Sequence, residues 1–279
     1  MTAVLKLLPS SRATSLALFF VLAVAAMGQP LREAPNNGAK PVNQLVVAGN
    51  ACGPAALLAA FRFGDKNWQR AADAVPGETE KAKIVSIIRT EGSRPSTHMG
   101  DRMRWSKKGV NVVDLCDMAN EMTIGHYLPK ISYEVFFLKT GEDQGDLLKR
   151  THSRLAKSLA KGLPPLISIR RFALRKQKSG RKEWTIVDAH FVTLTSLPKK
   201  LEKGATSFAV TYLDPWGGKR CEGRIAISEK AFLQGASASP DPSISPCLEA
   251  AFPQASVGKK RLQAGEDSLI TLAAGIGRW

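Results

Sequence analysis

The chain has 279 residues, 44% of them hydrophobic and 23% charged, with 40 Lys and Arg against 24 Asp and Glu, a net charge of +16. Such a chain forms a globular core rather than a disordered polymer, in one large domain or two small ones. The excess of positive charge favours anionic partners or surfaces.

Residues 1–28 do not read as part of the fold. Lys6 and Arg12 precede an apolar run, "LALFFVLAVAAM" (Leu16 to Met27), and Ala26 and Gly28 are small residues suited to cleavage before Gln29. This is the layout of a secretory signal peptide, and the run is short of the ~20 residues a membrane-spanning helix needs. Its removal takes away two positive charges, from +16 to +14. No later stretch is long and apolar enough to span a membrane, so the expected destination is secreted, periplasmic or in the cell envelope.

Residues 29–43, rich in Pro, Asn and Gly over Gln29 to Lys40, read as a linker. From Gln44 onward a single domain is expected. Asn50 to Phe63, Lys66 to Val75 and Glu78 to Thr90 read as helices, the last with Ile84, Ile87 and Ile88 at helical spacing. Glu91 to Lys108 is polar and reads as loop, and Asn111 to Met122 as a short helix carrying Cys116. Ser132 to Leu138 reads as a strand. Gln144 to Lys161 is a charged amphipathic helix ended by Gly162.

The pattern then changes to strands: Leu163 to Phe172, Trp184 to Val187 and His190 to Leu197 as two strands or one interrupted strand, Ser207 to Leu213 and Arg224 to Ile227. Ala173 to Lys182 reads as a basic hairpin loop and "DPWGG" after Leu213 as a turn. Ser228 to Gln234 suggests a short helix, Gly235 to Ala255 a surface excursion, and Ser268 to Ala274 a closing strand. Helices first and antiparallel strands second is an α+β layout.

An exported chain meets an oxidising compartment. Of the four cysteines, Cys221 and Cys247 are the expected pair, closing a loop for ~3 kcal/mol. Cys116 reads as a buried helical thiol, and Cys52 is left over. It stands before Gly53 and Pro54 in "NACGPAALLAAF". Proline suits a first helical turn, so Cys52 lies where free N–H groups and the positive dipole end favour thiolate. Gly53 leaves room for a close neighbour. A buried helix-start cysteine fits the spacing equally well.

A thiolate nucleophile needs a base. His98 lies in a loop, His126 follows a helix, and His152 reads as a solvated surface residue. His190 opens an apolar strand, and the following strand ends in Asp214, which an antiparallel pairing can bring beside it. Asp214 could equally start a turn, and Asp188 is a weaker alternative. For the oxyanion of an acyl transfer, Gln44 is the candidate donor together with the Cys52 backbone N–H, with Asn43 and Asn50 as competitors.

"NACGPAALLAAF" with Gln44 upstream, "AHFVTLTSL" and "YLDPWGG", in that order, resemble the active-site blocks of peptidase C39-like proteins of the papain-like superfamily. "KGLPPLISIRR" and "GVNVVDLCDMANEM" are similar to further segments of such domains. The resemblance covers scattered blocks from Gln44 to Arg224. It implies an α+β, papain-like fold whose N-terminal helical subdomain packs its nucleophile helix against an antiparallel sheet. It also implies Cys52 as nucleophile, His190 as base, Asp214 as its orienter and Gln44 as oxyanion donor. The transporter-linked members carry membrane and nucleotide-binding domains not seen in this sequence, so their leader-trimming substrate is not carried over.

The expected activity is hydrolysis of peptide bonds through an acyl-enzyme, without metal or other cofactor. Acyl transfer to an amine, as in a transglutaminase, uses the same site. A binding module on an inactive peptidase fold is a third reading, with the basic cluster Arg170 to Lys182 bordering the cleft and holding an acidic substrate or an anionic cell-surface polymer. Nothing resembles a nucleic-acid module.

Overall fold

The computed structural model describes residues 29–47, 50–229 and 245–279. The leader expected over 1–28 lies outside them, as does most of the helix expected at Ser228 to Gln234. The body from Leu31 to Trp279 forms one compact unit of helices and antiparallel strands, an α+β protein. No helix among the described residues is long and apolar enough to cross a membrane.

Helix α1 (Cys52–Phe63) is the centre of the helical part. All of its residues except Arg62 are buried, because its sequence is apolar on every side. Helix α2 (Lys66–Ala74) is capped by Asp65, whose side chain accepts the N–H groups of Asn67 and Trp68. Its Trp68 packs on Phe61, with ring centroids 5.4 Å apart. Helix α3 (Glu80–Ile87) is capped by Thr79 and runs into a π-turn, Ile88–Gly92. Helix α4 (Val112–Met122) is capped by Asn111, and α5 (Gln144–Ala160) by Asp143.

Among the described residues, ten strands complete the fold. β1 is Leu31–Glu33, β2 Trp105–Ser106, β3 Gly109–Val110 and β4 Ser132–Val135. β5 is Leu166–Lys176, β6 Lys182–Pro198, β7 Ser207–Asp214 and β8 Lys219–Ala226. β9 is Glu249–Ala251 and β10 Ser268–Gly277. The main sheet runs β1-β6-β5-β10-β9-β8-β7, and β6 also pairs with β7, so the path from β6 through β5, β10, β9, β8 and β7 closes on itself. Every pairing is antiparallel. Closure removes the exposed edges that an open sheet would leave. β2 and β3 form a separate small hairpin.

Several elements depart from the expectations. Residues 31–33, read as linker, pair with Ser196 to Pro198 of β6. Half of the basic segment read as a hairpin loop, Ala173 to Lys182, is strand: β5 continues to Lys176 and β6 begins at Lys182, leaving residues 177–181 as the turn. Of the two readings around Asp188 the single interrupted strand holds, with an irregularity in the β5–β6 register where Arg171 faces Asp188 and Phe172 faces Ile186. A bulge absorbs one residue there without ending the strand. Part of the expected surface excursion is β9, which bridges β8 and β10 with Ala250 buried.

Cys221 and Cys247 are not disulfide-bonded; all four cysteines are free and buried. Cys221 faces Tyr212 across β7 and β8. Cys247 belongs to a separate small cluster with Phe172 and Leu269. His152, read as solvated, is buried on α5: its Nε2 lies 2.9 Å from the Pro198 carbonyl and its ring meets Phe208 edge-on. Burial lowers its pKa, so it packs as a neutral imidazole with a single satisfied polar contact.

Candidate active site

Helix α1 presents Cys52 at its first position. Pro54 has no N–H and the Ala55 N–H is used by the Ala51 carbonyl, 2.9 Å away. The N–H groups of Cys52 and Gly53 have no acceptor within the helix. Gly53 is required for a reason other than ligand access. A Cβ there would collide with the Val110 side chain of β3 and crowd Leu115 of α4. The glycine lets the β2–β3 hairpin lie against the mouth of α1.

His190 sits in β6, opposite Ile169 of β5. Three residues on, the Thr193 hydroxyl donates to the Ala56 carbonyl of α1 at 2.8 Å, fixing the strand against the helix one turn beyond Cys52. The register Thr193↔Leu213 carries Asp214 to the level of Val192, two residues from His190. That is within the diagonal reach of cross-strand side chains. The result is a bond of 2.8 Å between His190 Nε2 and Asp214 Oδ1.

Asp214 is completely buried. Its Oδ1 also accepts the Trp216 N–H at 2.8 Å, and its Oδ2 accepts the Ser256 N–H at 3.0 Å. With Nε2 committed to a carboxylate that can only accept, Nδ1 is the ring nitrogen left for Cys52. Cys52 and His190 line the same cleft side by side, close enough for each to shift the other's charge.

The charges follow from this arrangement. Burial works against a thiolate at Cys52, but the bond and charge of His190, with the N–H groups of Phe191 and Gly53, outweigh it and hold the thiol below its ordinary value. Burial also disfavours the imidazolium; the bonds to Asp214 and Cys52 and their charges reverse that and raise His190 to about 10. Burial alone would raise Asp214, yet the imidazolium and two backbone donors keep it below the usual carboxylate range. A thiol pushed down beside an imidazole pushed up is a thiolate–imidazolium pair. The other cysteines behave oppositely: burial pushes Cys116 and Cys247 up to about 12 and raises Cys221.

Cys52 and His190 open into a cleft of about 610 Å³. One wall is the β2–β3 hairpin with Lys107 and Lys108. The other is the segment Ser256 to Arg261 together with Asp188, and Trp216 also lines the space. The basic cluster Arg170 to Lys182, expected to border the cleft, does not line it, so the cations of the cleft are not those singled out by sequence. Within that cluster, Arg175 is engaged by Glu266 at 2.6 Å, and Arg171 donates to the Val257 carbonyl at 2.6 Å. Asp188 does not meet His190; its Oδ2 accepts the Gly258 N–H at 3.2 Å.

Gln44 is fully buried in a short 3-10 turn, Gln44–Val46. Its backbone N–H donates to the Pro215 carbonyl at 2.8 Å, directly after Asp214, but it does not line the cleft. Asn43 caps the turn, accepting from the N–H groups of Leu45 and Gly217. Asn50 does line the cleft, and its side chain donates to the Lys107 carbonyl.

The one grouping among the described residues with metal-ligand proximity is His98, Asp114 and Asp117, whose donor atoms lie within 4.8 Å of one another. His98 and Asp117 bond each other at 2.8 Å. Asp114 accepts from Ser96 and from the Asn111 side chain that caps α4. These contacts form a hydrogen-bonded cap around the start of α4.

No protein-family description, curated protein or solved structure matches this chain.

Proposed function

We propose that the chain is an exported, papain-like cysteine peptidase or closely related amide hydrolase. The observation that carries the reading is the alignment of Cys52 at the head of a buried helix, His190 beside it on the same cleft, and the buried Asp214 hydrogen-bonded to His190. The export part rests on the layout of residues 1–28. The helical part set against antiparallel strands agrees with the resemblance noted in the sequence.

In this mechanism the Cys52 sulfur attacks the substrate carbonyl carbon, forming a C–S bond and placing negative charge on the oxygen. The Cys52 backbone N–H at the helix mouth receives that oxyanion; Gln44, the second donor that the resemblance implies, is buried outside the cleft lining. The imidazolium of His190 gives its Nδ1 proton to the leaving amine as the C–N bond breaks. His190, neutral again, takes a proton from water. The resulting hydroxide displaces the sulfur, releasing the carboxylic acid and restoring the ion pair. Asp214 keeps the ring oriented and its charged form stable throughout.

The test is mass spectrometry of the protein mixed with activated ester and peptide substrates, beside Cys52→Ala. A covalent acyl adduct on Cys52 that turns over in water, and is absent from the variant, is the expected result. Turnover unchanged by Cys52→Ala overturns the proposal. Added amines that divert the acyl group from water would assign the site to transamidation instead.

A further inference from the structure

The cleft carries far more positive charge than the chain average. Its ionisable lining, Cys52 and His190 aside, is Lys107, Lys108, Lys259, Lys260 and Arg261 against the single carboxylate Asp188, a ratio of five to one. The whole chain holds 40 to 24. Asp188 offsets only Arg261, at 3.4 Å. All five cations are on exposed residues, and they stand on both walls rather than on one.

Each wall is tied to the residues beside the catalytic pair. On the Cys52 side, Asn50 donates to the Lys107 carbonyl, and the Trp105 indole N–H donates to the Asn50 carbonyl at 3.0 Å. On the His190 side, the segment bearing Lys259, Lys260 and Arg261 is held by the Ser256 N–H on Asp214 and the Gly258 N–H on Asp188. The Arg261 guanidinium also donates to the Val187 carbonyl at 3.2 Å. The Lys259–Arg261 wall is therefore placed through Asp214, which orients His190, and the Lys107–Lys108 wall through Asn50, two residues before Cys52.

We infer that this cleft selects acidic peptide segments, with Lys107 and Lys108 reading carboxylates on one side of the scissile bond and Lys259 and Lys260 on the other. The inference rests on the peptidase reading and adds the substrate class to it. A chain laid over Cys52 between two cationic walls gains attraction from acidic side chains on either flank and repulsion from basic ones. Low-dielectric walls strengthen both effects.

Two measurements separate this inference from the reading beneath it. The first compares alkylation of Cys52 by anionic iodoacetate and neutral iodoacetamide, normalised to a small free thiol. The comparison is made in the wild type and in the triple variant Lys107→Glu, Lys108→Glu, Lys260→Glu. His190 is present in both proteins, so their difference reports the rim. The iodoacetate preference should fall about tenfold or more in the variant, and also fall with salt in the wild type. A preference unchanged by charge reversal overturns the inference.

The second measurement uses two peptides with one scissile sequence and either Glu or Lys flanks. The wild type should cut the Glu-flanked peptide with kcat/KM at least about tenfold higher, and the triple variant should reverse the order. Equal cutting by the wild type overturns the inference and leaves the peptidase reading intact. Rim-dependent alkylation with neither peptide cut overturns both the substrate class and the peptidase reading. So does a sulfated polysaccharide that shields Cys52 from iodoacetamide where the acidic peptide does not.

Discussion

His190 Nε2 and Asp214 Oδ1 are 2.8 Å apart inside the protein, the His190 side chain nearly buried and Asp214 wholly so. This bond decides the chemistry of Cys52, because it leaves His190 only Nδ1 to offer and supports the positive charge that makes a thiolate beside it favourable. Asp214→Ala removes that support while burial continues to disfavour the imidazolium. The His190 pKa then falls and the Cys52 pKa rises. Amide-hydrolysing kcat should drop about 10²–10⁴-fold, and the pH midpoint for Cys52 alkylation should move upward. Stopped-flow alkylation across pH checks the second effect without any substrate.

His190→Ala leaves the Asp214 carboxylate buried with only the N–H groups of Trp216 and Ser256 as partners. Breaking one side of a buried charge pair costs roughly 3–5 kcal/mol. With the imidazolium gone, burial, the largest influence on Asp214, pushes its pKa up. The neutral acid then carries no charge penalty, so the loss of stability should shrink as pH falls through that raised value. Urea unfolding of variant and wild type at neutral and mildly acidic pH measures the difference.

Gly53→Ala should act through packing. Its new methyl group would push Val110, a short branched side chain with little freedom to swing away. Overpacking at such a contact costs about 1–3 kcal/mol. The displaced β2–β3 hairpin also carries Lys107 and Lys108, so selectivity for charged substrates should weaken along with thermal stability.

Gln44→Ala separates oxyanion stabilisation from nucleophile activation. If the carboxamide receives the oxyanion, kcat falls about 10²–10³-fold while the rate of Cys52 alkylation by iodoacetamide is unchanged. An equal loss in both would place the buried Gln44 side chain in the packing that supports the Asp214 turn.

Much of this site could be read from local sequence. Pro54 and an all-apolar run set the start and burial of α1 and put Cys52 at its mouth; the order of His190 and Asp214 on successive strands suggested their contact. The cationic walls were hidden because they come from two segments about 150 residues apart, residues 107–108 and 259–261, brought together by the fold. Neither segment shows a period, so each reads only as polar surface. His152 misled for a related reason: a charged helix made it look solvated, whereas one carbonyl from the end of β6 satisfies its ring and permits burial. Residues 31–33 carry no strand pattern of their own and become β1 through the backbone groups of Ser196 to Pro198.

The nucleophile assignment is tested most directly by the pH dependence of iodoacetamide labelling at all four cysteines of the native protein, read peptide by peptide. Cys116, Cys221 and Cys247 are raised by burial and serve as internal controls. The account predicts that Cys52 alone reaches full reactivity well below the ordinary thiol range, and that His190→Ala abolishes this advantage. Cys52 titrating like a common thiol, or staying as inert as the other three at neutral pH, would contradict it.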